Sequence, residues 1–197
     1  MVSEPRRFYD RVMDSTKPTI IFLHGNGGEG MGNHFWPYAE RELKALGLTV
    51  VAKNFPDAIL ARQSIWLPFL KNECGADEHS ILIGHSSGAI AAMRYAEKNR
   101  ILGSVLIGAY HTDTGDERER LSGYFDAPWD WPAIRRNQKW IIQFASVDDP
   151  FFSVEEPRLV HRELGTEYHE YTDRGHFFAP EFPELIEEVR KKIFVGS

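Results

Sequence analysis

The chain has 197 residues, 42% of them hydrophobic and 26% charged, which predicts one globular domain over residues 1–197 with a sizeable core. Its formal net charge of −6 argues against nucleic acid or an anionic membrane surface as the main partner. The single cysteine, Cys74, excludes an intrachain disulfide and a zinc–cysteine cluster. Residues 1–17 carry several charges and no apolar core, and no apolar run in the chain is long enough to cross a bilayer. We therefore expect a cytoplasmic protein.

Apolar runs alternate with amphipathic stretches along the chain, which is typical of a doubly wound α/β fold with a mostly parallel sheet. Strands are predicted at residues 19–23, 48–52, 81–83, 102–107, 140–144 and 168–171. Helices are predicted at residues 36–46, 61–70, 87–98, 155–164 and 183–194. Pro68 should end or kink the second helix. Residues 111–134 are too long and mixed for a simple connection, and long connections are often functional.

The most informative stretch is Gly84-His85-Ser86-Ser87-Gly88, which follows an apolar strand and precedes a helix of small residues. This is the G-x-S-x-G nucleophile elbow in its proper context. The two glycines are needed because a side chain at either position would collide with the strand or the helix. Ser86 is the centre of the motif, since only Ser86 has glycine two residues away on both sides. Its hydroxyl should project beside a helix N-terminus, where free N–H groups favour negative charge.

A nucleophilic serine needs a base and a group that orients the base, and in this fold the chain order is serine, acid, histidine. His176 follows the last predicted strand in Asp173-Arg174-Gly175-His176, so we predict that it is the base. The acid should come from the loop after residues 140–144. Asp149 is favoured over its neighbour Asp148, because Pro150-Phe151-Phe152 would bury its side chain, and the other aspartate would then cap the loop.

The glycine-rich loop at residues 24–30 should provide half of an oxyanion hole. We assign one backbone N–H donor to Asn26 and the second to Ser87, the residue after the nucleophile. The same glycines also satisfy G-x-G-x-x-G, which could open a dinucleotide-binding fold. The helix does not start at once, however, and no acid ends the next strand where a ribose would bind, so we expect no cofactor.

Aromatic residues are concentrated in and just before the long connection. They could roof the site and select an apolar group, or they could be ordinary core, and the sequence favours neither. These substrate-pocket candidates are Tyr110, Tyr124, Phe125, Trp129 and Trp131. The eight histidines show no metal-ligand spacing, so no metal site is expected.

The chain resembles the small serine hydrolases of the α/β-hydrolase fold typified by retinoblastoma-binding protein 9, which are related to the bacterial YdeN-like proteins. The resemblance spans nearly the whole chain. It is carried by AKNFPD at residues 52–57, SIWLPF at 64–69, the elbow stretch 84–97, SGYF at 122–125 and PWDW at 128–131.

The resemblance implies a compact hydrolase without a large cap that cleaves ester or amide bonds of small substrates, with aminopeptidase-like activity. It places the triad on Ser86, Asp149 and His176. In this family, retinoblastoma binding is attributed to a Leu-x-Cys-x-Glu segment before the elbow strand. Residues 74–78 read CGADE and keep only the final glutamate, so a retinoblastoma-type partner is not expected.

The leading hypothesis is a cofactor-free serine hydrolase of the carboxylesterase or amidase type, acting on a small-molecule ester or amide through an acyl-enzyme. An alternative is a protein-interaction scaffold on a hydrolase fold with weak or vestigial activity, since the family is named for a partner. A third hypothesis is the dinucleotide-binding enzyme.

Overall fold

The computed structural model describes residues 17–194 and shows one open sheet of six parallel strands, in the order β2-β1-β3-β4-β5-β6. The strands are β1 (Thr19–Leu23), β2 (Thr49–Val51), β3 (Ser80–His85), β4 (Gly103–Ile107), β5 (Trp140–Ser146) and β6 (Glu167–Tyr171). The helices are α1 (Trp36–Ala45), α2 (Gln63–Asn72), α3 (Ser87–Lys98), α4 (Glu117–Ser122), α5 (Trp131–Arg136), α6 (Glu155–Leu164) and α7 (Pro183–Phe194). The predicted fold class is confirmed. The strands and helices that the pattern predicted are all present, and no end differs by more than two residues.

The direction of winding reverses between the neighbouring strands β1 and β3. The chain runs from β1 to one edge at β2, and then from β3 step by step to the other edge at β6. A crevice opens at such a reversal, beyond the carboxyl ends of the strands. The register pairs Leu23 of β1 with Gly84 of β3, so the glycine-rich loop begins beside the elbow.

Two apolar layers cover the sheet, because the strand side chains alternate between its faces. On one face, residues such as Ile21 and Leu82 pack with α2, α3, α5 and α6. On the other face, residues such as Phe22 and Ile83 pack with α1 and α7. Ten of the twelve residues of α3 are buried, so this helix is a core element.

Pro68 neither ends α2 early nor sets its boundary, which corrects part of the sequence prediction. The helix continues four residues beyond it, to Asn72. Proline removes the hydrogen bond to the carbonyl four residues earlier, which belongs to the exposed Ser64 and can be satisfied by water. Trp66 and Leu70 are fully buried on either side and hold the helix in place.

The long connection after β4 contains two short helices. Helix α4 is capped at its N-terminus by Asp116, whose side chain accepts a hydrogen bond from the Arg118 backbone N–H, and at its C-terminus by Gly123 in the left-handed conformation. The buried Arg94 of α3 fixes the segment between α4 and α5, since its guanidinium donates to the carbonyl oxygens of Tyr124 and Ala127. In the part of the chain that the structure describes, no helix has the length and apolar character needed to cross a membrane.

Substitution of Gly88 by alanine tests the contact between α3 and β1. A Cβ atom at Gly88 would lie 2.1 Å from the Leu23 carbonyl oxygen, so backbone must move to admit it. We expect Gly88→Ala to lower the free energy of unfolding by about 1–3 kcal/mol, the usual range for overpacking. Urea denaturation measures the loss. Gly32→Ala is the matched control, because a Cβ there meets nothing within 4 Å. Equal stability of the two variants would contradict the prediction.

Candidate active site

Ser86 lies at a sharp turn between β3 and α3, with φ 55° and ψ −125°. Few non-glycine residues adopt a positive φ, and such backbone strain costs about 1–3 kcal/mol. The Ser86 N–H donates to the Ile107 carbonyl at 2.9 Å, which ties the turn to β4. The elbow needs both glycines, because a Cβ at Gly84 would lie 2.4 Å from the Gly88 carbonyl oxygen. Ser86 therefore has the predicted elbow geometry.

The side chains of His176 and Asp149 meet although they follow different strands. His176 Nδ1 and Asp149 Oδ2 are 2.7 Å apart, and the two side chains are only 5% and 2% exposed. Gly175, with φ 50°, forms the turn that presents the imidazole. A carboxylate on Nδ1 leaves Nε2 free to accept a proton.

Asp148, the other aspartate considered as the acid, supports the loops instead. Its Oδ1 accepts hydrogen bonds from Ser146 Oγ at 2.5 Å and from the Gly175 N–H at 2.9 Å. The two adjacent aspartates thus point in different directions. Asp149 contacts the imidazole, and Asp148 holds the turn that carries it.

Ser86 and His176 line one cleft of about 430 Å³, above the carboxyl ends of the central strands. The carboxylates of Glu29, Asp116 and Glu119 also line the cleft, with Arg118. The Arg118 guanidinium is paired with Asp116 at 3.0 Å. The cleft wall therefore carries excess negative charge.

The backbone N–H groups of Asn26 and Ser87 lie on either side of the β1/β3 reversal. Neither N–H has an acceptor among the hydrogen bonds of the described residues. The loop that carries Asn26 is held from outside, because the Gly28 N–H donates to the Ala58 carbonyl at 3.0 Å. Ser87 is the first residue of α3, where N–H groups have no partner within the helix.

Burial governs the protonation of the imidazole. It lowers the pKa of His176 below the ordinary 6.5, and the hydrogen bond that the imidazole donates to Asp149 opposes this effect in part. The fully buried His85 adds to the lowering, and its Nε2 lies 2.8 Å from the His176 carbonyl oxygen. His176 is therefore neutral near pH 7 and can act as a base.

Tyr110 is the one predicted pocket aromatic that lines the cleft. Its buried phenol has a pKa held well above 10 by burial and by Glu119, although the hydroxyls of Ser87 and Ser86 oppose this. The other four predicted pocket aromatics pack against the core, which is the alternative that the sequence left open. They are Tyr124, Phe125, Trp129 and Trp131.

The aromatic residues that do form the mouth of the cleft are Phe151, Phe152 and Phe178. Phe151 and Phe178 are 54% and 41% exposed, which is unusual for such large apolar side chains. The sequence analysis missed this role. The available signal was their position, since two of them lie two and three residues after Asp149 and the third lies two residues after His176.

In a dinucleotide-binding fold the glycine-rich loop leads directly into a helix. Here it does not. Helix α1 starts at Trp36, six residues after Gly30.

Away from the cleft, ligand atoms of Glu167, His169 and Glu188 lie within 4.8 Å of one another. Lysine ammonium groups already occupy this cluster, since Lys192 pairs with Glu167 and Lys191 with Glu188.

Comparison with known proteins identifies the class. The chain has the α/β-hydrolase fold with a serine at the nucleophile elbow. The crystal structure of the ydeN gene product of Bacillus subtilis superposes with a TM-score of 0.80 at 21% identity, covering 88% of this chain and 97% of that one. A structure of Est1E from Butyrivibrio proteoclasticus, solved with ferulic acid, gives a TM-score of 0.70 at 11% identity, covering 90% and 88%.

Residues 20–189 match the serine hydrolase family. Serine hydrolase RBBP9 of Rattus norvegicus is 47% identical over 175 residues, which are 88% of this chain and 94% of the rat protein. The chain therefore belongs to the serine hydrolase family, and the predicted resemblance is confirmed.

The titration of His176 tests the electrostatics of this site. NMR of the imidazole signals should give a pKa below 6.5, because burial disfavours the imidazolium ion. Asp149→Asn should lower that pKa further, since it removes the negative charge that stabilises the protonated ring. Glu117→Gln is the control and should leave the titration unchanged, since Glu117 is exposed and outside the cleft. A rise in the pKa of His176 on Asp149→Asn would contradict this assignment.

Proposed function

We propose that this serine hydrolase cleaves ester or amide bonds of small substrates through an acyl-enzyme, with Ser86, His176 and Asp149 as its catalytic triad. One observation carries the proposal. The imidazole that hydrogen-bonds to Asp149 lines the same cleft as the serine of the strained elbow. Side chains from three distant parts of the chain are thus gathered at one crevice.

The proposed reaction begins with attack of Ser86 Oγ on the carbonyl carbon of the substrate. His176 Nε2 takes the hydroxyl proton, and Asp149 holds the imidazole in the required tautomer. The backbone N–H groups of Asn26 and Ser87 hydrogen-bond to the oxyanion of the tetrahedral intermediate. The intermediate collapses, and the leaving group departs with the proton from His176. Water then attacks the acyl-enzyme by the same route and releases the acid, so the cycle needs no cofactor.

The shape of the cleft supports small substrates. Its volume of about 430 Å³ lies in the range of sites that hold a single small molecule. One wall is formed by the start of the long connection and by α4, including Thr114 and Glu119. An acyl or leaving group of moderate size can pack against the exposed Phe151 and Phe178 at the mouth.

Removal of the nucleophile tests the mechanism. Ser86→Ala should reduce kcat on p-nitrophenyl esters by on the order of 10⁶-fold and abolish labelling by a fluorophosphonate probe. Ser64→Ala is the control, since Ser64 is exposed on α2 and outside the cleft. Labelling or turnover that persists in Ser86→Ala would refute the proposed nucleophile.

The charge of the cleft supports aminopeptidase-like specificity within the same proposal. Glu29 has one buried carboxylate oxygen, Oε2, without a hydrogen-bond partner among the described residues. Burial alone would raise the pKa of Glu29, but His85 and His34 hold it below its ordinary value, so Glu29 is ionised. A substrate ammonium group would be attracted by this charge, whereas a substrate carboxylate would be repelled.

Matched substrates test this specificity. Aminoacyl-coumarin amides with a free α-amine should give a higher kcat/KM than their N-acetylated forms, because only the free amine carries a positive charge. High salt should reduce this ratio. Glu29→Gln should also reduce it, while activity on the N-acetylated form serves as the internal control. Equal rates on the two forms would contradict an aminopeptidase-like preference and leave the triad untouched.

A further inference from the structure

Glu119 is a buried acid that the proposed reaction does not use. It lies on α4, is 5% exposed, and faces the cleft beside the elbow. Burial raises its pKa above the ordinary value, which shows that the surroundings disfavour its charge. Burial of a carboxyl group is destabilising unless the group is hydrogen-bonded.

One oxygen of Glu119 receives two hydrogen bonds from separate elements. Asn26 Nδ2 donates to Oε1 at 2.6 Å, and Ser87 Oγ donates to the same Oε1 at 2.7 Å. Asn26 belongs to the loop after β1, and Ser87 is the first residue of α3. Tyr110 completes the cluster, with its hydroxyl 3.2 Å from Ser87 Oγ. A single oxygen on α4 thus joins the two sides of the crevice.

The residues that Glu119 joins are the two whose backbone N–H groups form the proposed oxyanion hole. Such donors stabilise a transition state only when they are held in place before the charge develops. The Ser87 N–H is fixed by α3. The Asn26 N–H belongs to a loop that is held on its outer side by the hydrogen bond from the Gly28 N–H to the Ala58 carbonyl, and Glu119 provides a contact on the crevice side.

We propose that Glu119 is a positioning residue for the oxyanion hole, which fixes the Asn26 loop against Ser87 through its shared Oε1. It does not touch the substrate. This inference rests on the proposed function, since it concerns the donors of that reaction. The long connection after β4 then has a catalytic purpose, because α4 brings Glu119 to the crevice from outside the sheet.

Glu119→Leu removes the acceptor and keeps the volume. We expect kcat on p-nitrophenyl acetate to fall by about 10²-fold, the usual cost of a small misplacement at a reacting centre, while KM changes little. Inhibition by a trifluoromethyl ketone, whose adduct carries an oxyanion, should weaken in parallel. The acidic limb of the pH–rate profile should stay in place, because His176 and Asp149 are unaffected. Glu117→Leu, on the exposed side of the same helix, is the control.

The conservative variant separates positioning from charge. Both donors use Oε1, and a glutamine retains a carbonyl oxygen that can accept from them. Glu119→Gln should therefore recover most of the kcat that Glu119→Leu loses. If Glu119→Gln instead lost activity only on substrates with a free amine and kept it on N-acetylated ones, Glu119 would be an amine-binding group, and the positioning role would be overturned.

Thermal unfolding shows whether Glu119→Leu folds. If that variant does not fold, Asn26→Ala provides the test instead. It cuts the same link without altering a buried residue, and its backbone N–H remains. It should reproduce the loss in kcat, and adding it to Glu119→Leu should cause no further loss. Wild-type kcat in a folded Asn26→Ala or Glu119→Leu would overturn the inference. If the proposed serine mechanism itself were wrong, Ser86→Ala would remain active. That result distinguishes failure of the proposed function from failure of the positioning role of Glu119.

Discussion

The close approach of α3 to β1 is the contact on which the site depends. No side chain fits between Gly88 and the Leu23 carbonyl oxygen, and a Cβ at Gly84 would lie only 2.4 Å from the Gly88 carbonyl oxygen in the first turn of the helix. This packing forces Ser86 into its positive φ, because the chain must reverse from strand to helix within two residues. The strain costs about 1–3 kcal/mol, which is less than the free energy gained when α3 buries its apolar side chains. The position of the hydroxyl is therefore set by the core of the protein.

Several acidic groups surround this serine, and each has different partners. Asp149 is paired with His176, Glu29 faces His34 and His85, and Glu119 accepts from Asn26 and Ser87. Negative charge beside an oxyanion opposes catalysis of neutral substrates. A substrate amine would offset that repulsion, and so would a raised pKa of the neighbouring carboxyl group, because it favours the neutral form. Burial raises the pKa of Glu119 in this way. The proposed aminopeptidase-like specificity and the positioning role of Glu119 are thus electrostatically compatible.

Much of the fold could be predicted from local patterns. Buried strands such as residues 19–23 are continuous apolar runs, and α3 follows the elbow motif directly. The preference for Asp149 over Asp148 came from the phenylalanines after it, and the structure shows Asp149 hydrogen-bonded to His176. The early end of α2 expected at Pro68 was wrong, because the burial of Trp66 and Leu70 outweighs one lost hydrogen bond. The aromatic residues of the long connection could not be assigned, since an apolar ring fits a core as well as a pocket.

The sequence by itself determined the α/β class, the elbow at Ser86 and the order of serine, acid and histidine, because these follow from periodicity and from residues adjacent in the chain. Only the tertiary structure decided which groups share the cleft. Glu119 meets Asn26 across 93 residues of sequence, and Phe178 joins Phe151 at the mouth. The first contact needs α4 to lie beside the crevice, and the buried Arg94 of α3 holds the chain just after α4 through the Tyr124 carbonyl. Long-range packing of this kind leaves no periodic signal in a single chain.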